Sequence, residues 1–242
     1  MYTKGALMKI KSLALATAFS LTSGLAMANS YQAEVGANYT DVENGDGVFG
    51  MYGEFHFSPV QTRNHPLAEA AFLERSSNVY AAADDDFDVL TIGGELYVPD
   101  TMFYVGGRVT RVDNAAGDET TAYATLGLTP VDGLLVTTEF SEDGYDANIS
   151  AKYVTSLGGG NFVNLEGTYQ DTDFDDDILS LGADFYFDRT FSVGAGYTDF
   201  LGDDQFTLRT EKFFTNEISG RLSFTDSDAA GNVFTIGGAV RF

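Results

Sequence analysis

The chain has 242 residues, with 13 Lys and Arg against 36 Asp and Glu and a formal charge of -23. So acidic a protein is repelled by the phosphate backbone, which excludes nucleic acid as a natural partner. It contains no cysteine, so neither a disulfide nor a thiolate metal site contributes to it.

The first residues carry Lys4, Lys9 and Lys11 and no acid, followed by a mildly apolar run from Leu13 to Leu25 and then Ala26-Met27-Ala28. This pattern reads as a secretory signal peptide over residues 1–28, cleaved before Asn29. The run is too short, and too interrupted by Thr17, Ser20, Thr22, Ser23 and Gly24, to span hydrocarbon as a helix. Beyond residue 28 no stretch reaches the roughly 20 consecutive apolar residues of a membrane helix. A mature chain 29–242 that lies in a membrane must therefore be a closed barrel, since only helices and barrels pair every backbone group without water.

The first four strands are expected at Tyr31 to Thr40, Val48 to Phe57, Leu67 to Ser76 and Asp88 to Val98. Outward apolar sets then recur at every second residue, as in Phe103, Val105, Gly107, Val109 and in Ala122, Ala124, Leu126, Leu128. The same period continues through Leu134 to Phe140, Ala147 to Tyr153, Val163 to Tyr169, Leu179 to Phe187, Phe191 to Tyr197, Phe206 to Thr210 and Ile218 to Phe224. It ends with Phe234, Ile236, Gly238, Val240 and the terminal Phe242. The opposite faces are rich in Gly, Ser, Thr, Asn and Glu, which a soluble sandwich would not need. The expected fold is all-β: one transmembrane antiparallel up-and-down β-barrel of about 14 strands, with 12 as the alternative.

The connections sort into two alternating classes. Pro59, Pro66, Pro99 and Pro130 fall in even-numbered connections, expected in the periplasm. Odd-numbered connections are acidic, as at Asp41 to Asp46, Asp84 to Asp86, Asp113 to Glu119, Glu142-Asp143, Asp171 to Asp177, Asp199 to Asp204 and Asp226 to Asp228, and are expected outside.

The stretch Pro66-Leu-Ala-Glu-Ala-Ala-Phe-Leu-Glu-Arg-Ser-Ser-Asn78, the short acidic loops and the terminal Val240-Arg241-Phe242 resemble the general bacterial porin family of Gram-negative outer membranes. The resemblance implies a barrel in the outer membrane that lets small hydrophilic solutes through. The final Phe resembles the signal by which such barrels are recognised for assembly.

Residues facing inward are the candidate pore lining: Glu34, Tyr52, Glu54, Glu69, Arg75, Glu95, Tyr104, Arg108, Tyr123, Glu139, Lys152, Glu166, Asp184, Arg209, Glu211, Arg221 and Arg241. About fourteen strands leave room for water where eight would not, and inward Gly and Ser such as Gly194, Gly196, Ser219 and Ser223 favour an open lumen over a plug. The longest connection expected is Ser76 to Phe87, too short to fold deep inside, so wall side chains should set the constriction. The alternative is that the mixed charges pair and seal the lumen.

No catalytic residues are indicated. Of the two histidines, His65 lies in an expected periplasmic turn and His56 at the periplasmic end of its strand, away from any Ser or Asp partner at the outer rim. No cofactor is implied, and no dedicated metal site either. Asp171-Thr-Asp173-Phe-Asp175-Asp-Asp177 starts like an EF-hand loop but has Asp176 where Gly is needed and Gly182 where the bidentate Glu belongs. The function expected is passive diffusion of ions and small hydrophilic solutes, weakly cation-preferring because acids crowd the outer mouth. The alternatives are a structural or interaction barrel with a blocked lumen and cation-binding loops, or a substrate-specific channel in which Tyr52, Tyr104, Tyr123 and Tyr186 contribute to a binding ladder. Expected partners are outer-membrane lipid, lipopolysaccharide, the solutes themselves and loosely held divalent cations at the acidic loops.

Overall fold

The computed structural model describes residues 29–43, 45–84, 86–114, 117–142, 148–171, 177–200, 203–228 and 231–242. The signal peptide expected over 1–28, most of the Asp171 to Asp177 stretch and the outward Ala147 lie outside them.

Period-two alternation in segment after segment produces fourteen strands: β1 (Ser30–Val42), β2 (Val48–Gln61), β3 (Asn78–Asp84), β4 (Val89–Tyr97), β5 (Phe103–Asn114), β6 (Gly117–Leu128) and β7 (Leu134–Ser141). They continue with β8 (Asn148–Gly158), β9 (Asn161–Gln170), β10 (Ile178–Asp188), β11 (Phe191–Phe200), β12 (Asp203–Phe213), β13 (Ile218–Ser227) and β14 (Gly231–Arg241). Each strand pairs antiparallel with its neighbours in sequence, and β1 pairs with β14 to close the barrel. Closure leaves no unpaired edge, the condition for a sheet to lie in lipid. At the seam the amides of Gln32 and Ala33 both donate to the terminal Phe242 carbonyl at 2.9 Å, and the Phe242 amide donates to Ala33.

Burial is inverted relative to a soluble protein. Ile92, Phe103, Ile149, Leu181 and Phe234 are exposed on the outer surface, whereas His56, Asn164, Asp184, Ser192, Ser219 and Arg241 are buried. An apolar belt of this extent would be insoluble in water and is solvated by lipid.

The third strand differs from expectation. Leu67 to Ser76 forms no strand: Leu67–Glu69 is a 3₁₀ turn and Ala70–Leu73 a helical turn, α1, while the strand is the next segment, Asn78–Asp84. Ala, Leu and Glu are good helix formers and Pro66 suits a helix start; Leu67 and Ala70, three apart, are both fully buried. In β3 the run Ala81-Ala82-Ala83 has little strand propensity, and ladders on both sides hold it extended. The strand total is unchanged, but the β2–β3 connection now comprises residues 62–77. That overturns the expectation that no connection is long enough to enter the lumen and that wall side chains alone narrow it. Pro59 likewise lies within β2, at a register shift between the Tyr31↔Val60 and Ala33↔Phe55 pairs, and not in a connection.

Candidate channel lumen

The 62–77 segment folds into the end of the barrel that carries Asn29 and Phe242, and side chains from several strands hold it. Arg189, in the β10–β11 turn, donates through Nε to the His65 carbonyl at 3.0 Å and through Nη2 to the Thr62 carbonyl. The Arg189 carbonyl in turn accepts from the Leu67 amide at 2.7 Å. Arg241, on the last residue of β14, donates through Nη1 to the Leu67 carbonyl at 2.7 Å and through Nε to Glu34. Its guanidinium lies 4.4 Å from the Tyr31 ring centroid and 4.5 Å from that of Phe213. A guanidinium this buried is tolerated because carboxylate, carbonyl and ring faces together replace its hydration. Beneath it Tyr31, Val60 and Ala70 form an apolar core with Ala71 packed against them.

Glu69 carries the segment's contact with the far wall. It accepts from the Tyr186 hydroxyl at 2.7 Å and pairs with Lys152 at 2.8 Å. Lys152 also pairs with Glu166 at 3.3 Å, its cross-strand neighbour, and stands over the Phe72 ring at 5.1 Å. The network continues along the wall. Arg209 grips Asp184 with Nε at 2.6 Å and Nη2 at 2.7 Å, and reaches Glu166 at 3.4 Å. Asn164 donates to Glu166 at 2.7 Å and to Asp184 at 3.0 Å.

A second belt lies on β5 to β7. Arg108 forms a two-pronged pair with Glu139 and covers the Tyr123 ring at 4.0 Å, and Thr125 donates to Glu139 at 3.3 Å. On β1 and β2, Tyr52 donates to Glu34 at 2.5 Å across the bare backbone of Gly36, where a Cβ would overlap the Tyr52 ring. Arg221 lies over the other part of that tyrosine, 5.0 Å from the centroid, and is the cross-strand partner of Glu211.

Most of the expected lining residues fall into three groups of contacts. Glu34, Tyr52, Arg221 and Arg241 meet at the seam; Glu69, Lys152, Glu166, Asp184 and Arg209 form the long network; Arg108, Tyr123 and Glu139 form the belt. Tyr104 packs edge-on against Tyr97 at 4.9 Å, and Glu95 accepts from Tyr104 and Asn78. Glu54 stands 3.4 Å from His56 Nε2. Two of the set, Glu69 and Arg75, sit on the inserted segment and not on the wall, because the strand expected to carry them is helical. Arg75 pairs there with Asp132 of the β6–β7 connection at 3.2 Å. Sequence pattern gave no sign of Arg189, Asp132 or the Leu67 carbonyl, all in connections where no period applies.

Not all of the lumen is filled. The side chains of Arg108, Arg209 and Glu166 keep 34 %, 35 % and 36 % of their surface accessible. A cavity of about 320 Å³ lies over the inserted segment between Glu69, Tyr186, Glu211 and Arg221. Outside the lumen, at the rim, an open hollow of about 1290 Å³ lies between residues of the inserted segment and of the β4–β5 and β6–β7 connections, with the exposed Phe57 and Leu96 also lining it. At the opposite mouth the acids are partly organised: Arg111 pairs with Asp118 at 2.6 Å, and Glu43 accepts from the Asn232 amide and side chain at 2.9 and 2.8 Å. Those two donors hold the Glu43 carboxyl below the usual carboxylate range.

The family model described as "Putative general bacterial porin" matches residues 6–129 and 122–242. No curated protein matches the chain. Among solved structures, the outer membrane protein Omp33 of Acinetobacter baumannii is 21% identical and superposes with a TM-score of 0.77, covering 89% of this chain and 100% of its own. A mutant of the Rh. blastica porin is 9% identical, with a TM-score of 0.49 over 88% and 99% of the two chains. The Omp33 likeness bears on the fold, a closed barrel of fourteen antiparallel strands; the family match spans nearly the whole chain, which belongs to the general bacterial porin family of outer-membrane channels.

Proposed function

We propose that the protein is exported by its N-terminal signal and forms a narrow, passive outer-membrane channel for ions and small hydrophilic solutes, with a weak preference for cations. The observation that carries this reading is the partial exposure of Arg108, Arg209 and Glu166 inside the barrel. A lumen packed with side chains along its whole length would have to bury them, at a cost of several kcal/mol per ion. The seventeen inward residues named above are its proposed lining, and acids outnumber bases among them. With the acidic outer loops they raise the local concentration of cations, an effect that salt screens beyond about 10 Å at 0.1 M. The same loops would hold divalent cations loosely against lipopolysaccharide phosphates.

Bacterial barrels keep their short turns in the periplasm, so the inserted 62–77 segment narrows the periplasmic half. Its many fastenings also favour a second reading, a structural barrel whose lumen is shut. Planar-bilayer recording of the purified, refolded protein separates the two. Small discrete steps with a cation-selective reversal potential in a salt gradient fit the channel. A silent bilayer rejects it, and an anion-selective reversal rejects the preference alone.

A further inference from the structure

The cavity of about 320 Å³ is walled by residues of β9 to β14 and floored by Ala68 and Glu69 of the inserted segment. Most of its charges are already neutralised. Glu69 is paired with Lys152, and Asp184 and Glu166 with Arg209. Glu211 and Arg221 stand apart from these pairs. They are directly opposite in the β12–β13 ladder, which puts their Cβ atoms about 5 Å from each other, yet they form no ion pair. Arg221 extends across its β14 neighbour Gly237, where a Cβ would stand 3.1 Å from the guanidinium Nε, and donates to the Tyr52 hydroxyl. Glu211 accepts from Ser219, two residues earlier on β13. The other inward arginines of the wall, Arg108, Arg209 and Arg241, each pair with a carboxylate; among the described residues Arg221 pairs with none.

A cation and an anion thus face the same polar cavity without neutralising each other. Both side chains are half-buried, so both remain open to a solute. A guanidinium has five N–H donors and Tyr52 takes one of them, which leaves a fork of the shape that carboxylates fit. Glu211, with two acceptor oxygens, suits an ammonium group. A solute with one charge satisfies one of these residues and leaves the other as it was. A solute with both charges a few bonds apart satisfies both and brings no net charge into the lumen. The volume is near the lower end for small-molecule sites, which restricts the rest of the solute to a few atoms, and Ser223 and Thr235 on the same cavity offer hydroxyls to a short polar side chain.

We propose that this cavity is a subsite for small zwitterionic α-amino acids, with the carboxylate on Arg221 and the ammonium on Glu211, and that the channel favours them among small hydrophilic solutes. This rests on the channel reading above. A purely structural role for the two residues predicts no dependence of binding on which charges the solute carries.

Calorimetry on the full chain in detergent, with L-serine, lactate and ethanolamine as probes, separates the two. Lactate carries only the negative charge and ethanolamine only the positive one. L-serine is expected to bind about tenfold or more tightly than either, and to depress the salt current of the parent in a planar bilayer. Arg221→Gln and Glu211→Gln are each expected to weaken serine about tenfold; the first should also weaken lactate and spare ethanolamine, and the second should do the reverse. If either variant fails to fold, the comparison of the three probes on the parent decides alone. A conducting parent that gives no heat and no block with serine, or that binds lactate or ethanolamine as tightly as serine, overturns the subsite and leaves the channel standing. A silent parent that still binds serine overturns the channel and leaves the binding site; a silent parent that binds none of the probes overturns both.

Discussion

Arg209 on β12 and Asp184 on β10 form a two-pronged ion pair, at 2.6 and 2.7 Å, across Gly194 on the intervening strand β11. The bond spans two strand spacings because Gly194 presents no side chain between them. A Cβ there would overlap Asp184 Oδ1 and press on the Ala183 carbonyl. Gly194→Ala should therefore displace the carboxylate and cost about 1–3 kcal/mol. Urea unfolding of the barrel in lipid vesicles measures this, and an unchanged midpoint would contradict it.

Arg241 is the fastening whose loss should matter most. Arg241→Ala leaves Glu34 buried without its cation and the Leu67 carbonyl without its donor. Removing one member of a buried pair costs about 3–5 kcal/mol. Much of that cost should return in the double variant Arg241→Met, Glu34→Gln, which removes both charges. Comparing the two unfolding midpoints checks this, and a double variant as unstable as the single one would refute the pairing as the cause.

Glu69 couples the inserted segment to the barrel wall. Glu69→Gln weakens the hold on Lys152 and frees that amine towards the lumen. Its single-channel record should show more frequent flickering and a reversal potential shifted towards anions, whereas a shift towards cations would be inconsistent with Lys152 facing water.

At the outer mouth, Glu43 holds the β1–β2 loop against Asn232. Its folded pKa is depressed below the unfolded value, so the contribution is present above the ordinary carboxylate range and is lost as pH falls through the depressed pKa. The Asn232 amide should thus be protected from hydrogen exchange at neutral pH and lose protection on acidification below that range. Glu43→Ala should show no such pH-dependent step.

Much of the barrel was legible because alternation repeats: Phe234, Ile236 and Val240 outward against Thr235 and Arg241 inward leave one strand register that keeps charge out of lipid. Leu67 to Ser76 reads as a strand because a short alanine-rich segment satisfies both periods, and only burial decides between them. Glu69 meets the wall residues Tyr186 and Lys152 all the same, carried there by the fold of a connection, whereas Arg75 ends at the rim against Asp132. Arg189 could not be singled out, since a turn residue has no facing partner to predict, and the Leu67 carbonyl that Arg241 binds is a backbone group that no residue type announces.

The most direct test compares the parent chain in a planar bilayer with a variant in which residues 63–76 are replaced by a short glycine-serine linker. If the inserted segment is the main obstruction in an otherwise wet lumen, as proposed, the parent gives small discrete steps and the variant steps several-fold larger. A parent that never conducts, or a variant with steps no larger than the parent's, would contradict it.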